Sequence, residues 1–212
     1  MRTRNNVETH STYEELLNAA EALFVVKGVS GVSLETIAKE AGMTRGAIYW
    51  HFDSKDSILE ALYDRAFEDL STQVEVFENT LASSADLNAI RAFCFGLVDF
   101  PLRDRHCMRV IALLLAGSEM TRGNVLFFRF QSFCQRVIDA IERALRSAAA
   151  KGEISGSLDS HLAALHLHAH ITGTLSVFLV GKIDIPANAT VGEMMRSSIG
   201  LCIESLAHAD RF

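Results

Sequence analysis

The sequence predicts an all-helical protein, and three observations support this prediction. Apolar residues recur at spacings of three and four along most of the 212 residues, which is typical of helices with one buried face. Alternation of the kind found in strands is scarce. Only two prolines occur, Pro101 and Pro186, so few positions oppose a helix. With 49% hydrophobic residues, the chain can bury a core large enough for one or two domains.

The first helix is expected to run from about Thr12 to Lys27. Its apolar and aromatic residues repeat at the spacing of one buried face: Tyr13, Leu16, Leu17, Ala20, Leu23 and Phe24. Gly28 follows and is a typical C-terminal stop. Residues 1–11 are polar, and we expect them to be frayed.

The stretch Ser33–Lys55 predicts two short helices joined by a tight turn. Ser33 is a good N-cap for the first, and Gly42 stops it. Thr44 can cap the second, which begins at Arg45. The residues expected to face inward from the two helices are Leu34, Ile37, Ala38, Ala41, Ile48 and Phe52.

The outward face of the second short helix is unusual for a solvated surface, which favours Glu, Lys and Ala. It presents Arg45, Gly46, Tyr49, Trp50 and His51. Arginine can read base edges, glycine permits close backbone approach, and phenol and imidazole groups can donate to phosphates. We therefore expect this helix to lie in a groove of DNA.

Lys55 is expected in the first turn of the next helix, which Asp53 or Ser54 can cap. A cation in this position opposes the helix dipole. Its presence is more easily explained if an anion outside the protein is its partner.

The run from Thr44 to Lys55, TRGAIYWHFDSK, resembles the signature of the TetR family of transcriptional repressors. Its residues are especially similar to those of the multidrug-efflux, AcrR-type branch. The resemblance implies phosphate contacts by Ser33, Thr44, Tyr49, His51 and Lys55. It places Arg45 and Gly46 near base edges. For Trp50, contact with DNA and packing at the rim of the helix are both open.

The resemblance also bears on the N-terminal arm. It implies that Arg2 and Arg4 can reach the DNA backbone or the minor groove. A disordered tail without such contacts is the alternative.

Six further helices are expected after the short pair. The first is predicted at 56–70, and Val74 and Phe77 either extend it or begin the next helix. The second covers 87–101, where Pro101 closes it, and two more lie within 103–150, separated by Gly117 and Gly123. The last two are predicted at 159–180 and 189–207. We expect residues 1–55 to form a helix-turn-helix DNA-binding domain. Residues 56–212 are expected to form a larger helical domain for ligand binding and dimerisation.

Charge and motif content restrict the possible functions. The net charge is −6, so attraction to DNA has to come from a local surface. Four scattered cysteines suit a reducing cytosol, and the absence of a signal peptide or a long apolar run predicts a cytoplasmic protein.

Since no catalytic motif is present, an enzyme is not expected. We expect no cofactor and no bound metal.

The Leu- and Phe-rich middle of the chain is more often plain core, but the resemblance favours a pocket for an apolar ligand. The candidate wall residues are Phe93, Leu97, Leu114, Phe127, Phe133, His166 and His170. His166 and His170 lie one helical turn apart and could instead be metal ligands or plain structural histidines.

Together with the resemblance, these patterns predict a homodimeric repressor that binds a palindromic operator, and the resemblance implies that it pairs through its last two helices. The recognition helices should then lie about 34 to 36 Å apart, or a related multiple. A small apolar or amphipathic effector would release the operator, and the efflux branch suggests a multidrug efflux system as the target. One alternative is a metal- or redox-sensing repressor that uses His166 and His170 or the cysteines. Another is a helical enzyme or carrier with a vestigial DNA-binding head.

Overall fold

The computed structural model describes residues 2–84, 86–116, 125–179 and 189–207. This part of the chain contains nine helices and no strand, which confirms the all-helical prediction. The helices are α1 (Arg2–Lys27), α2 (Leu34–Glu40), α3 (Arg45–His51), α4 (Lys55–Ser84), α5 (Leu87–Arg103), α6 (Arg105–Ala116), α7 (Val125–Ala150), α8 (Ser160–Leu179) and α9 (Val191–Ala207). None of the described helices is long and apolar enough to cross a membrane.

Two helix boundaries differ from the prediction. Helix α1 begins at Arg2 and not near Thr12, because residues 2–11 contain no Gly or Pro and the helix simply continues through them. The side chains of Arg2 and Arg4 lie outside the described part of the structure. Pro101 does not close α5 but sits in its last turn. The helix ends at Arg103, and Asp104 N–H bonds the carbonyl of Phe100 at 3.0 Å.

Most other boundaries agree with their sequence signals. Gly28 has a φ of 70° and follows the end of α1, as expected for a glycine at a helix C-terminus. Asp86 caps α5 by accepting from Ala89 N–H at 2.7 Å, and Asp159 caps α8 by accepting from Leu162 N–H at 3.0 Å. The expected separator glycines Gly117 and Gly123 lie outside the described residues.

The chain divides into two compact units. The first unit comprises Met1–Ala66 with Arg109–Arg129, and the second comprises Phe67–Met108 with Phe130–Phe212. Helices α4, α6 and α7 each contribute residues to both units. The first unit extends beyond residue 55. A DNA-binding domain of residues 1–55 stays a prediction.

The first unit is built around α1. Its core side chains are fully or almost fully buried and come from α1 to α4: Leu16, Leu17, Phe24, Ile37, Ile48, Ile58 and Leu59. Within this core the carboxylate of Glu21 has no exposed surface. It accepts from Arg65 of α4 at 2.5 Å and from Arg109 of α6 at 2.9 Å.

In the second unit, α5, α8 and α9 pack against one another. Their contact surface is apolar and buried, with Ile90, Cys94, Val98, Ala164, Leu167, Met195, Ile199 and Ile203 at its centre. Ion pairs connect helices of this unit. Arg196 on α9 donates to Asp99 on α5 at 2.6 Å, and Arg136 on α7 pairs with Glu78 on α4 at 2.5 Å.

Replacing Glu21 by Gln should lower the free energy of unfolding by about 2 to 3 kcal/mol, because a buried carboxylate that compensates two guanidinium groups is lost. This loss should be smaller than that for removing one partner of a fully buried ion pair, because water can still reach the two guanidinium groups: the side chains of Arg65 and Arg109 are 16% and 36% exposed. Urea unfolding followed by circular dichroism measures the change.

A matched control for this substitution is Glu14→Gln. Glu14 lies on the same helix and contacts the same Arg65 at 3.2 Å, but 38% of its side chain is exposed. Its loss should cost less than about 1 kcal/mol. Equal shifts in the two variants would contradict a special role for the buried carboxylate.

Candidate nucleic-acid interface

The two short helices begin at the caps that the sequence indicates. The hydroxyl of Ser33 accepts from Thr36 N–H at 3.2 Å, and that of Thr44 accepts from Ala47 N–H at 3.3 Å. Each hydroxyl satisfies a backbone donor at a helix start and keeps its own proton as a possible donor. Both predicted caps are therefore confirmed. The Ser33 hydroxyl also lies 3.0 Å from the hydroxyl of Thr36, so its proton has an acceptor within the protein.

The turn between α2 and α3 is a Schellman motif. Gly42 has a φ of 70°, Met43 N–H bonds Ala38 O at 2.8 Å, and Gly42 N–H bonds Lys39 O at 3.1 Å. Only glycine adopts this backbone conformation without steric cost. Gly42 thus sets the angle at which the chain enters α3.

Helix α3 divides into the two faces that the sequence predicts. Ile48 is fully buried and Phe52, which follows the helix, is 3% exposed. On the other side, 73% of the Arg45 side chain is exposed, and Gly46 is exposed as well. Trp50 is 72% exposed, so it packs little against the rest of the chain. The exposed face carries the side chains that were expected to face DNA.

His51 occupies an intermediate position at the end of α3. Its ring lies 5.9 Å from the ring of Tyr13 on α1 and 4.7 Å from that of Trp50, edge to face in both cases. Partial burial lowers the pKa of His51 below its ordinary value. The lowered pKa favours the neutral imidazole, which can offer one N–H donor.

A contact cluster that sequence reasoning missed lies between α2 and α3. Oε1 of Glu35 accepts from the hydroxyl of Tyr49 at 2.9 Å and lies 3.3 Å from Nη2 of Arg45. The guanidinium of Arg45 is 5.5 Å from the centre of the Tyr49 ring. Two of the predicted DNA-contacting side chains thus share one carboxylate oxygen.

Lys55 has a partner inside the protein. Its ammonium donates to the carbonyl of Val29, in the turn after α1, at 3.0 Å. This carbonyl accepts one of the three ammonium protons, so the position of Lys55 can be explained without an external anion. A phosphate contact by Lys55 stays a prediction. Ser54 caps α4 by accepting from Ser57 N–H at 3.2 Å, while Ser57 accepts from Ser54 N–H at 3.3 Å.

The predicted pocket residues have separate environments. Leu114 and Phe127 belong to the first unit and the other five to the second. Phe93 is buried and stacks on Phe77 with ring centres 4.1 Å apart, and Phe133 contacts Phe67 at 5.2 Å. Leu97 is also buried.

One open groove of the second unit includes a predicted pocket residue. It lies between α4 and α5 and has a volume of about 370 Å³. Its lining consists of Thr72, Gln73, Val76, Phe77, Thr80, Ala89, Ala92 and Phe93. Of the seven predicted wall residues, this groove contains Phe93 alone.

The two histidines proposed as alternative metal ligands also differ in environment. His166 is exposed on α8, whereas Nε2 of His170 lies 3.0 Å from the hydroxyl of Ser198. Among the described residues, no three His, Cys, Asp or Glu side chains are grouped so that they could hold a metal ion.

The four cysteines are free thiols. Cys94, Cys107 and Cys202 are buried, and burial raises the pKa of each. Burial also raises the pKa of Cys134 to about 12. Because the thiolate is the reactive form, these thiols have low reactivity at neutral pH.

A capped helix pair joined by a Schellman turn, with an arginine, a glycine and aromatic side chains exposed on the second helix, defines a helix-turn-helix protein. Residues 16–62 match the family model described as bacterial regulatory proteins, tetR family. TtgR, an HTH-type transcriptional regulator of Pseudomonas putida, is 30% identical over 193 residues, which is 85% of this chain and 90% of TtgR. The chain belongs to the TetR family, as the Thr44–Lys55 run indicates.

Solved structures agree with this assignment and with the AcrR-like branch. Native NalD, the secondary repressor of the MexAB-OprM multidrug efflux pump in Pseudomonas aeruginosa, gives a TM-score of 0.74 at 26% identity, covering 93% of this chain and 98% of its own. SmeT, the repressor of the Stenotrophomonas maltophilia multidrug efflux pump SmeDEF, gives 0.69 at 28% identity, covering 95% and 91%. The SmeT–triclosan complex gives 0.70 at 27% identity, covering 94% and 91%.

Proposed function

We propose that this protein is a ligand-responsive transcriptional repressor that binds a palindromic operator as a homodimer and controls a multidrug efflux system. The observation that carries the proposal is the exposed face of α3, held by the Thr44 cap and the Gly42 turn. The similarity to repressors of efflux pumps supports the proposal that the regulated genes encode an efflux system.

Operator contact is assigned to the residues around α3. The hydroxyls of Ser33, Thr44 and Tyr49, the imidazole of His51 and the ammonium of Lys55 are the phosphate donors. Arg45 reads a base edge, and Gly46 lets the helix backbone approach the groove closely. With a net charge of −6 on the chain, these few donors carry most of the attraction.

Substituting Gly46 by Ala should weaken operator binding about ten-fold without loss of stability. A Cβ at this position would meet only Thr44 Oγ1, at 3.9 Å, so the protein itself accommodates the methyl group. Helix propensity favours Ala by about 1 kcal/mol, and the melting temperature should not fall. Fluorescence anisotropy with a DNA duplex that the wild-type protein selects from a random library measures the binding.

Gly156→Ala is the matched control for this substitution. Gly156 lies in the turn before α8 and has no neighbouring atom within 4 Å of an added Cβ. This variant should bind the selected duplex like the wild type. If Gly46→Ala also bound normally, close approach of this part of α3 to DNA would be refuted.

A second copy of the chain is proposed to cover α8 and α9. Large apolar side chains are exposed on these helices: Leu162 at 64%, Leu165 at 39%, Val177 at 43% and Leu201 at 69%. Such a concentration of exposed apolar residues is typical of a protein–protein interface. A symmetric dimer would supply the two heads that a palindromic operator requires.

Leu201→Asp should convert the dimer to a monomer, because the interface would have to bury a charge. Sedimentation equilibrium should then give half the wild-type mass, and binding to the selected duplex should fall. Val76→Asp is the control for the measured mass, since Val76 is 57% exposed on α4, outside this face. A Leu201→Asp variant with the wild-type mass would place the interface elsewhere.

The effector is proposed to be a small apolar or amphipathic molecule bound in the second unit. Support comes from its Phe-rich helices and from the triclosan complex of SmeT. Binding would favour a geometry in which the two heads no longer match the operator spacing, with α4 as the coupling element. Phe93, which lines the groove between α4 and α5, is the best placed of the predicted wall residues.

Triclosan should release the protein from the selected duplex in a dose-dependent manner, measured as a fall in anisotropy of the labelled DNA. Zinc chloride and hydrogen peroxide should have no such effect, because the described residues form no metal-binding group and the thiols are protonated. Release by zinc or peroxide without a response to triclosan would support the metal- or redox-sensing alternative.

A further inference from the structure

We infer that Glu35 is a specificity-determining residue of the DNA interface: in the free protein its carboxylate holds the Arg45 guanidinium and the Tyr49 hydroxyl, and so suppresses binding to DNA of arbitrary sequence. The inference rests on the proposed DNA-binding function and assigns a role to a residue that is not itself a donor to DNA.

The geometry places three side chains in one surface cluster. Oε1 of Glu35 accepts from Tyr49 Oη at 2.9 Å and lies 3.3 Å from Nη2 of Arg45. Glu35 lies in the first turn of α2, and Arg45 is the first residue of α3. The side chains of Glu35 and Arg45 are 45% and 73% exposed, so the cluster lies at the surface that was assigned to DNA.

The carboxylate of Glu35 is charged under all physiological conditions. Its pKa is lowered, first by a hydrogen bond from its own backbone N–H and then by the Tyr49 hydroxyl. A negative charge therefore stands beside Arg45 whenever DNA approaches. It also repels any phosphate that comes near Arg45 and Tyr49.

DNA of arbitrary sequence offers Arg45 only phosphates in place of its contact with Glu35. Binding without sequence preference derives almost entirely from cations that neutralise phosphates and release counterions. Because Glu35 already compensates Arg45, this guanidinium contributes less to such binding than an isolated one would. The cluster thus lowers the affinity for every sequence that offers only phosphates.

The correct operator can overcome the contact. An exposed ion pair changes an equilibrium by no more than about five-fold, so it breaks easily. A bidentate contact from arginine to guanine discriminates against a wrong base by about five- to 150-fold. Arg45 can therefore leave Glu35 for a guanine at low cost, and the ratio of specific to non-specific affinity rises.

The test compares Glu35→Gln with Glu40→Gln. Both substitutions remove one exposed negative charge from α2, and Glu40 is the last residue of the helix, with no ion pair to Arg45. Anisotropy titrations would use the duplex selected by the wild-type protein and a scrambled duplex of the same composition, at several salt concentrations. Glutamine can still accept from Tyr49, so mainly the charge contact with Arg45 is lost.

Glu35→Gln should bind the scrambled duplex up to about five-fold more tightly for each subunit that contacts it. The slope of log affinity against log salt should be steeper by about 0.9 per subunit, the value of one additional phosphate contact. Affinity for the selected duplex should rise less, so the specificity ratio falls. Glu40→Gln should leave the ratio unchanged. In an Arg45→Ala background, Glu35→Gln should tighten binding to the scrambled duplex less than it does in the wild-type background, because the part of the effect that acts through Arg45 is lost.

Three results would overturn the inference. Equal gains for Glu35→Gln and Glu40→Gln on both duplexes would mean that only total charge matters. Weaker binding of Glu35→Gln to both duplexes would make Glu35 a support of the helix pair. If the wild-type protein selected no duplex and bound the scrambled one equally poorly, the proposed DNA-binding function itself would fail, and the inference with it.

Discussion

The carboxylate of Glu21 is the constraint on which the first unit depends. It joins α1 to Arg65, which lies 44 residues further along the chain, and to Arg109, 88 residues further along. A carboxylate without exposed surface is tolerated only when its partners are in place, so the positions of α1, α4 and α6 at these contacts are restricted to one arrangement. In the proposed mechanism, a shift of α4 or α6 would have to break this contact or move α1, which contacts α2 and supports α3.

The helix pair could be predicted from sequence because its signals are local. The caps at Ser33 and Thr44, the stop at Gly42 and the burial of Ile48 and Phe52 each depend on residues within a few positions. The same reasoning placed the exposed face of α3 correctly. Local order in this part of the protein is therefore specified by local sequence.

The contacts that adjust the interface could not be predicted in this way. Tyr49 is 14 residues from Glu35, and Lys55 is 26 residues from Val29, so no periodicity relates the partners. The pocket prediction met a similar limit, since dense Phe and Leu residues are expected both in a core and around a ligand. Phe133 and Phe93 each pack against another phenylalanine, and the sequence pattern does not distinguish this packing from a cavity wall.

The exposure of Trp50 has a practical consequence. It is the only tryptophan in the sequence, and it stands on the outward face of α3. The intrinsic indole emission of the protein therefore arises from a single position, beside the side chains proposed to meet the operator. Quenching or a spectral shift of that emission would report events at this surface alone, so occupancy of the recognition helix can be followed in real time with unlabelled wild-type protein.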